Sequence, residues 1–193
     1  MNASANTQLW IRLSGIAGIV AALAWIAGDV LLVGHLANAG DYPQLLVAHA
    51  GRVEPDFVLR VIGVPRGWLI NGALVAIFSV PLYLAACWHL WCGVRGAGRA
   101  WALPAIALIF CGYALSPLPH AAFYFVGAIY QTMTTADPAL HDTLLALADE
   151  FHHVLEITWY VAVGCLGLGL LWFSAAVATG RSAYPRWFAV SGN

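Results

Sequence analysis

Lysine is absent from this chain, and charge of either sign is scarce: eight arginines stand against nine acids in 193 residues, 9% of the whole. With a net charge of −1 there is no basic surface to neutralise a phosphate backbone, which argues against nucleic acid as a partner. A soluble domain carries about 25% charged and roughly 45–50% apolar residues. Here 62% are apolar and the mean hydropathy is +0.79, which points to an integral membrane protein. Cysteine is also sparse. Cys87, Cys92, Cys111 and Cys165 lie in or beside apolar stretches, and without a Cys-x-x-Cys pair they read as packing thiols. The chain has no Gly-rich phosphate loop, nucleophile elbow or His-Glu-x-x-His motif, and Ser79 and Ser116 have no adjacent base. No internal repeat supports an inverted-repeat transporter.

What is abundant is long apolar sequence. A membrane-crossing helix needs about 20 such residues, and four runs qualify: 13–36, 68–91, 100–130 and 154–178. The first follows Arg12 and is followed by Ala37-Asn38-Ala39. It is too long for a signal peptide's apolar region and contains Asp29, so a retained helix is expected. The third contains Pro104, Pro117 and Pro119 and is expected as one span kinked at its prolines, with a shorter span followed by a re-entrant segment as the alternative. The predicted fold is all-α, a single domain over 1–193 in which four transmembrane helices form a bundle. Ser14, Gly18 and Ala22, with Gly164, Gly167 and Gly169, supply small faces for close helix packing; a homo-oligomer could use the same faces.

Four spans place both termini on one side. Arg12, Arg95, Arg99, Arg181 and Arg186 lie on that side, against Arg52, Arg60 and Arg66 among Asp41, Glu54 and Asp56 on the other. Positive charge beside short loops marks the cytoplasm, so a cell-membrane protein with both termini cytoplasmic is expected. The loop 37–67 is then extracytoplasmic, with a short helix expected within Tyr42–Ala50 and an apolar stretch at Phe57–Val64. A loop of this length is either a lid or a connector.

The densest polar sequence, Asp149-Glu150-Phe151-His152-His153-Val154-Leu155-Glu156, runs straight into the fourth span. At about 100° per residue, Asp142, Asp149, His152, His153 and Glu156 share roughly a 100° sector. The fourth span therefore has an amphipathic extension, starting at Pro138 with Asp137 as N-cap. Ionisable groups at membrane depth usually face a protein interior or a cavity. Glu150, His152, His153 and Glu156 could hold zinc or iron, although Glu150-x-x-His153 lacks the second such motif of a di-iron site. The alternative is a solvated face paired with Arg60 or Arg66. Asp29 must be neutral or find a partner, for which Arg66, His120 and His153 are the candidates. It could serve function or form a buried structural pair. Every span can thus bring a polar group to the extracytoplasmic half, and the candidate ligand-binding set is Asp29, Arg66, His120, Tyr124, Asp149, His153 and Glu156. His89 reads as part of an aromatic belt at the opposite interface, and His49 and His141 as solvated.

Gly28-Asp29, Gly63-x-Pro65-Arg66-Gly67 and Tyr184-Pro185-Arg186-Trp187 together resemble bacterial multi-pass membrane families of unknown function. Such families often continue into further spans, so a chain ending at Asn193 reads as a shortened member. His152-x-x-x-Glu156 is also similar to the acid–base pattern of membrane sterol isomerases, as an analogy only. The expected function is binding of a small amphiphile or lipid, or an accessory role, with the bilayer as a partner. The alternatives are a membrane-embedded enzyme acting on a lipidic substrate by acid–base or metal-assisted chemistry, and a small transporter component.

Overall fold

A computed structural model describes residues 5–191, leaving Asn193 outside the described residues. The architecture is all-helical, as the apolar runs imply. In chain order the helices are α1 (Ala5–Val33), α2 (Pro43–Leu46), α3 (Pro55–Ile62), α4 (Arg66–Val94), α5 (Arg99–Leu115), α6 (Pro117–Met133), α7 (His141–Ala178) and α8 (Phe188–Ser191). Short 3-10 turns lie at Ala39–Asp41, Arg95–Ala97 and Pro138–Leu140. Four stretches are long and apolar enough to cross a membrane: Ala5–Val33, Arg66–Ala97, Arg99–Met133 and Pro138–Ala178.

Helix ends depart from the expected spans because hydropathy reports affinity for lipid, whereas a helix ends where its backbone bonding ends. α1 begins eight residues before position 13 and carries Arg12 within it. The polar extension and the fourth span form one helix of 38 residues. Asp137 caps its entry, accepting from the Ala139 N–H at 2.9 Å. The third span is two helices, interrupted at Ser116. Pro117 has no N–H to give the Tyr113 carbonyl one turn earlier. The Ser116 hydroxyl donates to that carbonyl instead, at 2.7 Å, and the Ser116 N–H reaches both Gly112 and Tyr113 oxygens. Ser116→Ala should therefore cost about 1 kcal/mol, read as a lower unfolding midpoint of the purified protein in mild detergent.

The chain divides into two compact units. The first comprises Met1–Leu23, Ser79–Ser116 and Trp159–Asn193. Its core joins Cys87, Val94, Ala102, Ile109, Phe173 and Val177. The α1 backbone lies close on α4: Gly15 faces the His89 ring and Gly18 faces Ala86. Ser14 and Ala21 are buried along this face and Ala22 is half-buried, so the small residues serve packing within the chain. The His89 Nδ1–H donates to the Ile11 carbonyl at 2.9 Å, a tie between helices where an aromatic belt was expected. After α7 the chain turns at Gly180, with φ +72°, and sets Tyr184 against Gly93, Phe173 and Phe188. Burial raises the Tyr184 phenol above its ordinary pKa, and the nearby Cys92 thiol adds in the same sense. Tyr184 is thus an internal anchor, and Trp187 is the exposed ring of this segment.

The second unit comprises Ala24–Phe78 and Pro117–Thr158. The amphipathic helix α3 buries Val58, Val61 and Ile62 against Val126, Ile129, Tyr130 and Met133 of α6 and Leu145 and Ala148 of α7. The loop 37–67 is therefore ordered, and its expected short helix shrinks to Pro43–Leu46. Within this unit α1 meets α4 at Gly28 and Gly72, and the Trp25 Nε1–H donates to the Ala76 carbonyl at 3.2 Å.

Candidate functional site

All nine acids, three of the eight arginines and six of the seven histidines belong to the second unit. The residues singled out from sequence therefore share one compact body, but they do not meet at one point. Asp29 finds His120: Oδ1 and Nε2 are 3.6 Å apart, with the Asp29 side chain 56% exposed and that of His120 15%. Of the three candidate partners, His120 is the one in ion-pair range, and the carboxylate is exposed where a buried pair was considered. Trp25 packs against the same imidazole, ring centroids 5.3 Å apart. Gly28, one residue before Asp29, sits on the α4 backbone, and this contact fixes how α1 is turned.

The polar stripe of α7 keeps its common sector but points away from the core. Leu145, Ala148 and Leu155 are buried, whereas Asp142, Asp149, His153 and Glu156 are exposed on one flank, as is Glu150. His152 alone turns inward, half-buried and stacked on Phe57 at 4.8 Å. Among the described residues no three His, Cys, Asp or Glu side chains are grouped to hold a metal, and the set Glu150, His152, His153 and Glu156 is not drawn together. The arginine that does pair with this flank is Arg52, 2.6 Å from Asp142; Arg60 instead donates to the Val33 carbonyl. His49 and His141, expected in solvent, are half-buried and share a hydrogen bond of 3.1 Å between Nε2 and Nδ1.

The opposite flank of α7 builds something different. Leu144, Leu147 and Phe151 face Tyr124, Phe125, Ala128, Ile129 and Thr132 of α6, and Arg66 closes one end. Together they line a groove of about 230 Å³ with an apolar floor. Arg66 is its one charged lining residue, and among the described residues no hydrogen bond or ion pair engages its guanidinium. Because Arg66 is the first residue of α4, its own N–H and that of Gly67 begin the helix, while those of Trp68 and Leu69 go to the Pro65 carbonyl; the positive end of the helix dipole favours negative charge there. Of the seven candidate ligand residues, the groove unites Arg66 and Tyr124. The others it needs are apolar, apart from Thr132, whose hydroxyl donates to the Ala128 carbonyl at 2.7 Å. The spacing of Tyr124, Phe125, Ala128, Ile129 and Thr132 on one helix face was visible in the sequence as an i, i+4 pattern, but core helices show the same pattern. Gln131 was also passed over. Its amide donates to the Val61 and Val64 carbonyls at 2.8 and 2.7 Å, holding the turn that leads to Arg66. In sequence Gln131 stands at the end of the third apolar run, just before Thr132, where a polar residue reads as ordinary boundary composition.

The geometry defines a class: among the described residues, an all-helical chain with four helical stretches able to cross a membrane and an open groove with a cationic end. In comparison with known proteins, no family model, curated protein or solved structure matches the chain.

Proposed function

We propose that the chain is a multi-pass membrane protein that binds an anionic amphiphile in the groove between α6 and α7, with Arg66 receiving the head group. The observation that carries this reading is the unengaged Arg66 at the end of an apolar floor. A guanidinium forms two parallel hydrogen bonds to a carboxylate or phosphate, and the start of α4 adds its dipole. Phe125, Ile129, Leu147 and Phe151 offer the tail a surface, and Tyr124 and Thr132 offer polar atoms near the head. The volume is below the roughly 300–1,000 Å³ of an enclosed ligand pocket. It suits the first part of a single chain whose remainder lies along the protein in lipid.

Charge supports an orientation. The first unit carries five arginines and no acid, and the second carries every acid. Under the positive-inside rule the arginines that flank the α4–α5 turn and follow α7 mark the cytoplasmic side. The test is titration of a fluorescent dodecanoate probe into protein in mild detergent, beside a dodecyltrimethylammonium competitor. Arg66→Gln should weaken the anionic probe about tenfold or more, since a hydrogen bond to a charged group contributes about 1.5–3 kcal/mol. Equal binding by the variant, or equal competition by the cationic surfactant, would remove this reading.

One observation favours a second reading, acid–base chemistry or proton transfer: the pair that Asp29 of α1 makes with His120 of α6, both in apolar helices. An activity or flux lost in Asp29→Asn while the dodecanoate probe still binds would support it.

A further inference from the structure

The second unit holds another cavity, of about 390 Å³, which shares no lining residue with the Arg66 groove. It lies where the turn Ala39–Asp41 and α2 approach the end of α6 and the first residue of α7. Asp41 is its charged group. Leu45 and Met133 form an apolar floor, and Tyr42, Thr134 and His141 complete the wall. Its size lies within the range of small-ligand sites, and so does its makeup, apolar surface with a few polar groups.

Two of its polar groups, the Asp41 carboxylate and the Thr134 hydroxyl, are free to accept. Among the described residues no hydrogen bond or ion pair engages the Asp41 carboxylate. No arginine lines the cavity; Arg52 is engaged by Asp142 and Arg60 by the Val33 carbonyl. The Thr134 hydroxyl spends its proton on the Gln131 carbonyl at 2.7 Å, leaving oxygen lone pairs. His141 is fixed through Nδ1 by His49, and its Nε2 is buried without a partner. The surrounding field has one sign. Nine carboxylates against three arginines leave the unit with six uncompensated negative charges, histidine taken as neutral, and such a field concentrates cations.

The chemistry separates one kind of cation from another. A bare divalent ion takes several oxygen or nitrogen ligands at once, and among the described residues no three His, Cys, Asp or Glu side chains are grouped to hold one. One carboxylate, one aromatic ring and a greasy floor suit a cation that brings its own apolar body. We propose that this cavity binds a small organic ammonium ion: its N–H groups on the Asp41 carboxylate and Thr134 hydroxyl, its charge against the Tyr42 ring, and its apolar part on Leu45 and Met133.

Calorimetric titration of the full chain in mild detergent tests this with phenethylamine and hexylamine, beside 2-phenylethanol as a neutral molecule of similar size. Saturable one-to-one binding of the amines is expected, with the alcohol at least tenfold weaker. Asp41→Asn should lower amine affinity at least tenfold. Asp41 engages the fold through its backbone, its N–H donating to the Asn38 carbonyl, so the variant should melt as the parent does. Thr134→Val should weaken binding about threefold, and Arg66→Gln should leave it unchanged, which separates this cavity from the groove. Equal binding of alcohol and amine, undiminished binding by Asp41→Asn, or no saturable heat from either amine would each overturn the proposal.

Discussion

Replacing Gly28 or Gly72 with valine should cost about 3 kcal/mol each, at the upper end of the usual range for overpacking. A Cβ at Gly28 would stand 2.9 Å from the Gly72 carbonyl oxygen and 3.3 Å from Ala76; one at Gly72 would stand 2.8 Å from the Gly28 carbonyl oxygen and 2.9 Å from Leu32. The obstacle on both sides is backbone, which no side-chain rotation relieves, so the two helices must separate. Trp25 would then lose its bond to Ala76, and His120 its neighbours on α1. Alanine at either position should cost less than valine but remain destabilising. Gly164 and Gly167 provide the control, because a Cβ at either meets nothing within 4 Å. Alanine there should be neutral or slightly stabilising, as glycine is the poorer helix former by about 1 kcal/mol. Reversible unfolding in mixed micelles, followed by tryptophan fluorescence, measures all of these. If Gly28→Val unfolds at the parent's midpoint, the close approach of α1 and α4 is wrong; if Gly167→Ala is as damaging, the effect is not specific to that approach. Arg66 begins the helix that carries Gly72, so the valine variants should also weaken the dodecanoate probe.

The residues that marked helices in the sequence were the ones lipid would recognise. Four apolar runs appear as helical stretches, the proline-rich run breaks before Pro117 while Pro104 stays inside α5, and Asp137 caps where its side chain allows. Helix ends were harder to read. Arg12 and the polar residues before it lower hydropathy without interrupting a hydrogen-bond ladder, so α1 starts earlier than its apolar run. The α7 stripe shows a deeper limit. A helical wheel relates Asp149, His153 and Glu156 to one another, but only tertiary contact sets which way that sector points. Leu145, Ala148 and Leu155 set it by packing inward, leaving the carboxylates outside and the groove on the far flank. Apolar groove residues such as Leu147 and Phe151 carry no mark in sequence that separates ligand contact from core. Arg66 and Tyr124 stood out because they are polar within an apolar context. The His49–His141 hydrogen bond joins positions 92 residues apart, a distance over which one sequence alone offers no pairing signal.

Gln131→Leu should destabilise the second unit by about 2–4 kcal/mol, for a reason opposite to overpacking. Both protons of the amide nitrogen are in use, at 2.8 Å to the Val61 carbonyl and 2.7 Å to that of Val64. Val61 lies in the last turn of α3, where carbonyls have no partner within the helix. The Leu59 carbonyl of that turn is met by the Ala37 N–H at 2.9 Å, and Val61 depends on Gln131. Leucine preserves apolar bulk but leaves two carbonyls short of a donor at about 1–3 kcal/mol each, with repacking and water taking up part of the loss. Gln131→Glu should be worse at neutral pH, because it presents a carboxylate to two carbonyl oxygens. It should partly recover in acid, when the protonated carboxyl can donate one bond. Hydrogen exchange localises the effect: in Gln131→Leu, amides from Asp56 through Arg66 should exchange faster, with the first unit unchanged. Parent-like protection over that segment would show that Gln131 does not hold it. Because the held segment ends at the residue that closes the groove, the same variant should bind dodecanoate more weakly even though its Arg66 is intact.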